Sequence, residues 1–338
     1  MKLKYILLVP SLFFALSSFA TDFPICLYSV NEATHLKLIK KAGFTCIQTY
    51  QTNPEKLKSF VKPANKLGLK VVFYPHEILG TPYEQQAQEW PILAWYLVDE
   101  PDVKRWDRTR VINAHQQTKL AFPNHPTALV IGQGKTRTPY YDIPDIMMVD
   151  WYPVPHLALT SFGDNVRYTK EEMTERNVAD HPLWGVVQIF DWKNSKQRRP
   201  DNDRIGRFPT EEEIRFMSYH GILNGATGLF YYTFNHQGNI LPISAPDYWK
   251  RVTAVTRELV KFKEIIEEGS VIEYLTTPDS LLAVKTWKYK GHLYSLLLNP
   301  TNMVVPLPAP FISSSFKALY GYKKTEQIPP HGVLLLKK

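Results

Sequence analysis

Cysteine is close to absent. The 338 residues hold two, Cys26 and Cys46. Two thiols are too few for a zinc cluster, and the ten histidines show no close ligand spacing, so no metal is expected. Apolar runs long enough to span a bilayer are missing after residue 20, which argues against stable membrane insertion. The first strand-like segment runs into Ser29-Val30-Asn31-Glu32 without a glycine, so the phosphate loop of a dinucleotide-binding sheet is lacking. There is no nucleophile-elbow serine, no internal repeat and no low-complexity tract. Lys and Arg are scattered, and no nucleic-acid-binding module can be picked out.

What is present is a globular composition, 44% apolar and 13% aromatic, with ample length for a large core. Residues 1–20 read as a signal peptide. Lys2 and Lys4 make a basic start, residues 6–16 an apolar stretch, and Ser18-Phe19-Ala20 a small-x-small cleavage site. Export to the periplasm or the extracellular space is the expectation. Loss of the two lysines lowers the formal charge of +8 by two, a mild excess for this size. Cys26 and Cys46 fall in strands expected to be neighbours. An oxidising compartment could pair them, but parallel neighbours rarely suit disulfide geometry, and two buried free thiols are expected.

Residues 21–268 alternate between short apolar runs and amphipathic helical stretches. Strands are expected at 24–28, 45–50, 70–74, 92–98, 126–131, 145–151, 183–190 and 228–234. Helices are expected at 31–42, 54–67, 106–122, 167–178, 211–224 and 247–268, with a short one at 83–89 and an ill-defined crossover after residue 131. Eight such units over about 250 residues fit a (β/α)8 TIM barrel in count and size. From Gly269 the pattern changes to short alternating segments at 281–289, 293–299, 316–320 and 333–337. Turn signals at Lys290-Gly291, Asn299-Pro300 and Pro329-Pro330 separate them. Residues 269–338 are therefore expected to form a small β-sandwich-like domain.

The run Ile92 to Val98 stops on two adjacent carboxylates, Asp99 and Glu100, and then a proline. In a barrel they would sit at the C-terminal end of the fourth strand, the end where chemistry is done. An isolated Asp-Glu pair can equally be a solvated strand–helix turn, so the other strand ends matter. They offer Tyr50, His76, Glu77, Asp150, Trp151, Tyr152, Gln188, Asp191, Trp192, Tyr232, Phe234 and Asn235. Carboxylates, amides and rings suit sugars, whose C–H faces pack on aromatics, and they supply the paired carboxyls of glycoside cleavage. The same rings would also serve as ordinary core packing. Trp192 and Tyr152 lie past the strand bodies and are the more natural sugar contacts.

Three segments carry a resemblance. Ala94-Trp95-Tyr96-Leu97-Val98-Asp99-Glu100-Pro101 resembles the fourth-strand motif of clan A TIM-barrel glycoside hydrolases, which place their acid/base Glu there, usually as Asn-Glu-Pro. Val149-Asp150-Trp151-Tyr152-Pro153 is similar to a sixth-strand Asp-x-Tyr-Pro of bacterial barrel proteins regarded as glycosidases. The block running from Trp184-Gly185-Val186-Val187-Gln188-Ile189-Phe190 to Gly225-Ala226-Thr227-Gly228-Leu229-Phe230-Tyr231-Tyr232 resembles the same group. The resemblance implies a barrel over residues 24–268, a trailing β-domain, a carbohydrate substrate and Glu100 as acid. Two positions depart from it. Asp99 stands in place of the usual Asn, and Gln188 in place of the seventh-strand nucleophile Glu.

Three mechanisms follow. Glu100 and Asp150 form an inverting pair with a water between them, and a separation of about 6.5–9.5 Å is expected. Alternatively Asp99-Glu100 acts as in hexosaminidases with adjacent Asp and Glu, where the substrate's acetamido group is the nucleophile. In the third, catalysis is lost and the cleft binds glycan. Asp99 beside Glu100 would raise its pKa by like-charge repulsion. Arg198, Arg199, Arg204 and Arg207 lie in a long segment, 191–209, that is either a lid for acidic glycans or a solvated loop. His236, Gln237 and the His76-Glu77 pair are further candidate contacts. The expected function is a glycoside hydrolase needing no organic cofactor, with Glu100, Asp150 and Asp99 catalytic. Tyr152, Gln188, Trp192, Tyr232, Asn235, Tyr50, Trp151 and Glu77 are its expected substrate contacts. The rivals are a glycan-binding protein and a secreted interaction protein on the same scaffold.

Overall fold

In the computed structural model, residues 22–194, 206–272, 281–321 and 326–338 are described. The candidate signal segment and Arg198, Arg199 and Arg204 lie outside them. The chain begins with β1 (Ile25–Leu27), α1 (Leu36–Lys41), β2 (Cys46–Gln48), α2 (Pro54–Leu67), β3 (Lys70–Phe73) and the short α3 (Glu84–Ala87). It continues through β4 (Ile92–Asp99), α4 (Arg108–Ala121), β5 (Thr127–Ile131), β6 (Ile146–Asp150), α5 (Ser161–Glu175), β7 (Leu183–Gln188), α6 (Glu211–Leu223) and β8 (Gly228–Tyr232). A hairpin of β9 (Asn235–His236) and β10 (Asn239–Ile240) follows, then α7 (Leu241–Ser244) and α8 (Pro246–Glu268). Strands β1 to β8 pair in sequence order, all parallel, and β8 closes on β1. This is the TIM barrel expected from the alternation. The β5–β6 crossover carries no helix.

Local chemistry sets the boundaries. The Asn53 side chain accepts the Lys56 N–H at 3.0 Å, Pro54 occupies the first turn of α2, and Gly68 takes the left-handed conformation that ends it (φ 58°). Thr210 and Glu213 form a reciprocal capping box that starts α6.

Within each barrel strand alternate residues face opposite sides. One phase fills the lumen: Cys26 and Tyr28, Cys46, Val72, Ala94 and Tyr96, Ala128 and Val130, Ile146 and Met148, Trp184 and Val186, and Phe230, with Tyr50, Tyr74, Tyr152 and Tyr232 packed above them. The opposite phase packs under the helices in one continuous core.

Cys26 and Cys46 are bonded as a disulfide, which corrects the expectation of free thiols. They are direct register partners on β1 and β2, both in the lumen phase, with Cα atoms 4.5 Å apart. That spacing falls within the range a disulfide accepts.

Past α8 lies a five-stranded antiparallel sheet in the order β11 (Ser270–Ile272), β12 (Ala283–Tyr289), β13 (His292–Leu298), β17 (Val333–Lys337), β15 (Lys317–Gly321). A two-stranded ribbon, β14 (Val305–Pro306) with β16 (Gln327–Ile328), and a helical turn, α9 (Ala309–Ile312), lie beside it. One face of the sheet, including Trp287, Leu296 and Leu335, joins the core under the barrel helices, and Trp287 meets Phe262 of α8 edge-on at 5.3 Å. The other face packs Leu297, Leu334 and Leu336 on Val305, Phe311 and Phe316. Among the described residues no helix is long and apolar enough to cross a membrane.

Candidate active site

The lumen phase ends at the C-terminal mouth of the barrel in a ring of tyrosines. Tyr28, Tyr50, Tyr74, Tyr96, Tyr152 and Tyr232 lie in, or one or two residues past, six different strands. Tyr152 stacks on Tyr232 with centroids 5.5 Å apart, and Tyr28 meets Tyr232 edge-on at 5.7 Å. Tyr74 lies 5.2 Å from Tyr96. All but Tyr74 line a cleft of about 800 Å³, a size typical of small-molecule sites.

Three carboxyls stand over this floor. Asp99 ends β4, and its Oδ1 accepts the Tyr96 hydroxyl at 2.8 Å. Tyr96 in turn accepts the Tyr28 hydroxyl at 3.2 Å, so two tyrosines in series donate toward one carboxylate. Lys104 pairs with Asp99 Oδ2 at 3.4 Å. Glu100 follows in the left-handed region, φ 47°, a conformation that a side chain disfavours and that turns the chain sharply off the strand. Asp150 ends β6 and is 7% exposed. Its Oδ2 accepts the Tyr152 hydroxyl at 3.0 Å.

Glu100 and Asp150 are in hydrogen-bonding contact. That contact is closer than the expected separation of about 6.5–9.5 Å. Asp150 Oδ1 is buried and receives no amide or hydroxyl hydrogen bond, and a bond between two carboxyls requires a proton on one of them. Burial is the largest influence on both groups. It pushes Asp150 well above the usual carboxylate range, with the Glu100 charge and hydrogen bond next and Asp99 adding to the shift, against the Tyr152 hydroxyl. Glu100 is raised by burial and by Asp99 and Asp102, against the hydrogen bond from Asp150 and the charge of Lys104. The two therefore titrate as a pair and keep one proton between them where an isolated carboxyl has lost its own. Desolvation beside these carboxylates also raises the tyrosine hydroxyls, Tyr232 to about 12, so all of them stay neutral donors.

Of the residues expected at the site, Asp99, Glu100, Asp150, Tyr50, Trp151, Tyr152, Trp192 and Tyr232 line the cleft, as do His236 and Gln237. Gln188, Asn235 and Glu77 do not. Gln188 is fully buried, accepts the Val154 N–H at 2.9 Å and donates to the carbonyls of Val154 and Phe190. It locks the segment after β6 to the end of β7. Asn235 caps its own hairpin by accepting the Gly238 N–H at 2.8 Å. Glu77 pairs with His76 at 3.3 Å. Arg207 is engaged by Glu213 through both terminal nitrogens at 2.6 Å.

Sequence reasoning missed Tyr28, Tyr96, Gly132 and Phe190, and the rim residues Val103, His156 and Leu157. The signal for the first two was available. Tyr28 and Tyr96 stand two residues past Cys26 and Ala94 in the same phase, although on β4 a register shift between Tyr96 and Asp99 hides this from a count made back from Asp99. Among the described residues no group of three or more His, Cys, Asp or Glu could hold a metal ion.

No protein-family model matches the chain, and no curated protein matches it. Solved structures do. A glycoside hydrolase family 5 protein from Bacteroides vulgatus ATCC 8482 aligns over 93% of this chain and 89% of its own, with TM-score 0.60 and 11% identity. A GH30 endoxylanase from Clostridium papyrosolvens C71 aligns over 94% and 96%, with TM-score 0.54 and 12% identity. AmyP in complex with maltose aligns over 94% and 96%, with TM-score 0.55 and 11% identity. At such identities the likeness is one of fold, and at that level the resemblance to glycoside hydrolase barrels is met.

Proposed function

We propose that this protein hydrolyses glycosidic bonds in an oligo- or polysaccharide, with Glu100 as proton donor. The observation that carries the reading is the pairing of Glu100 and Asp150 in an aromatic cleft, where burial and their mutual contact favour a proton held between them. In the reaction, the shared proton crosses from Asp150 to Glu100, and Glu100 gives it to the glycosidic oxygen as the C1–O bond breaks, so that the leaving sugar departs as an alcohol. A water adds to C1 and its proton passes to the ionised carboxyl pair. Transfer across the Glu100–Asp150 bond restores the starting state, with one water consumed. Asp99, held by Tyr96 and Lys104, lies beside Glu100 and adds to the rise that burial gives its pKa. Tyr50, Trp151, Tyr152, Trp192 and Tyr232 are the proposed sugar-facing rings. Export is proposed on the disulfide, which suits an oxidising compartment, and on the sequence of residues 1–20.

A second reading, glycan binding without hydrolysis, draws support from the end of β7. Gln188 is sealed into backbone hydrogen bonds there, and that strand end offers no carboxylate. Release of reducing ends from a glycan panel separates the two. General acid catalysis contributes about 10²–10⁴-fold, and turnover in Glu100→Gln should fall by that order while the melting temperature stays put. Unchanged turnover rejects the role of Glu100. Binding of a glycan with no release by the wild-type protein leaves the second reading.

A further inference from the structure

Gly132, the first residue after β5, does not need to be glycine for its backbone, because its φ lies outside the left-handed region. It does need to be glycine for its neighbour. A Cβ added there would sit 2.6 Å from Glu100 Oε1, 2.8 Å from Cδ and 3.0 Å from Cγ. The bare backbone of Gly132 is therefore the surface against which the Glu100 carboxyl rests. That surface is pinned. The buried Asp102 carboxylate accepts the Gly132 N–H at 3.2 and 3.1 Å and the Gln133 N–H at 2.8 Å. Gln133 returns a bond from its side-chain amide to the Asp102 carbonyl at 3.1 Å. The turn that carries Glu100 thus grips the loop on which Glu100 leans.

We propose that Gly132 and Asp102 are positioning residues for the proton donor: together they form a seat, closed across the β4 and β5 loops, that presses the Glu100 carboxyl against Asp150. The proposal rests on the reading of Glu100 as the acid, but its geometry can be tested without turnover. The ionisable groups that act on Glu100 most are Asp99, Asp102, Lys104 and Asp150, and Tyr74, Tyr152 and Tyr232 also face it. Asp99 and Lys104 are left in place by the substitutions below.

The test is Gly132→Ala, alone and in the Glu100→Asp background. The flexible Glu100 tip, rather than any backbone, is what the new methyl displaces, so the fold should hold and the melting temperature should stay close to wild type. Displacement of a reacting group by about 1 Å can cost 10²-fold, and kcat is expected to fall by about that factor with KM nearly unchanged. In the shorter Glu100→Asp side chain the methyl meets less, so the second substitution should cost far less there than in wild type. Additive effects would overturn the proposal. The readout independent of turnover is a ¹³C NMR titration of the Glu100 and Asp150 carboxyls. In wild type they should titrate in coupled steps, and in Gly132→Ala as two weakly linked groups. Coupled titration surviving in a folded Gly132→Ala protein would also overturn the seat. Asp102→Asn, which keeps one acceptor oxygen, should loosen the coupling in the same direction and serves if Gly132→Ala does not fold. Absence of any turnover in wild type would defeat the hydrolase reading and leave the titration to decide the seat.

Discussion

Glu100 and Asp150 show what a single residue owes to its surroundings. Both stand at strand ends, which is why the sequence pointed to them. Their contact was not legible. β4 and β6 are separated by β5, and whether two side chains meet across it depends on the turn at Glu100 and on the bare backbone of Gly132. The contact has a consequence for stability. Asp150 has an ordinary value of 3.8 that the fold raises well above, so the folded state holds a proton that the unfolded state releases. Stability from this group is fully present below 3.8 and is lost as pH rises toward the raised value. Asp150→Asn removes that loss. Urea unfolding of both proteins from pH 4 to 9 should show the variant gaining on wild type as pH rises, by up to about 1.4 kcal/mol per pH unit within the window. Parallel profiles would contradict a shared proton.

At the scale of elements, the strand–helix alternation was readable because hydrophobic periodicity and caps are local. The span of α2, the capped start of α6 and the four longest strands past α8 fall close to where the pattern puts them. What was not readable depends on neighbours. The β5–β6 crossover lacks a helix, and the loop between them is instead tied to α5: Asn165 accepts the Lys135 N–H, and Arg137 pairs with Glu172. The disulfide is of this kind too. Each cysteine lay in an expected strand, but pairing required the register Cys26↔Cys46, which only the closed barrel fixes. The bond closes a loop with a sequence separation of 20, for which chain entropy gives a stabilisation of roughly 3 kcal/mol. Replacing both cysteines by serine should lower the unfolding free energy by about that amount, and a reducing agent should bring wild type down to the variant. Equal stability with and without reductant would contradict the structural role.

At the scale of the whole molecule, the question is what residues 269–338 contribute. Among the described residues, none that lines the cleft comes from them. Their sheet instead lays Trp287, Leu296 and Leu335 against the outside of the barrel, where Phe262 of α8 meets Trp287, and Phe216 of α6 meets His331 edge-on at 5.0 Å. We therefore propose that these residues brace the barrel and leave its chemistry alone. Truncation after Glu268 uncovers Phe262 and Phe216, and each large apolar side chain brought out of contact costs roughly 1.5–3 kcal/mol. A loss of about 3–6 kcal/mol, or a melting temperature lower by on the order of 10 °C, is expected. Turnover per folded molecule should be preserved once the folded fraction is measured by circular dichroism at the assay temperature. A truncated protein that stays fully folded and has lost turnover would contradict the bracing role and place a substrate-binding surface in the trailing sheet.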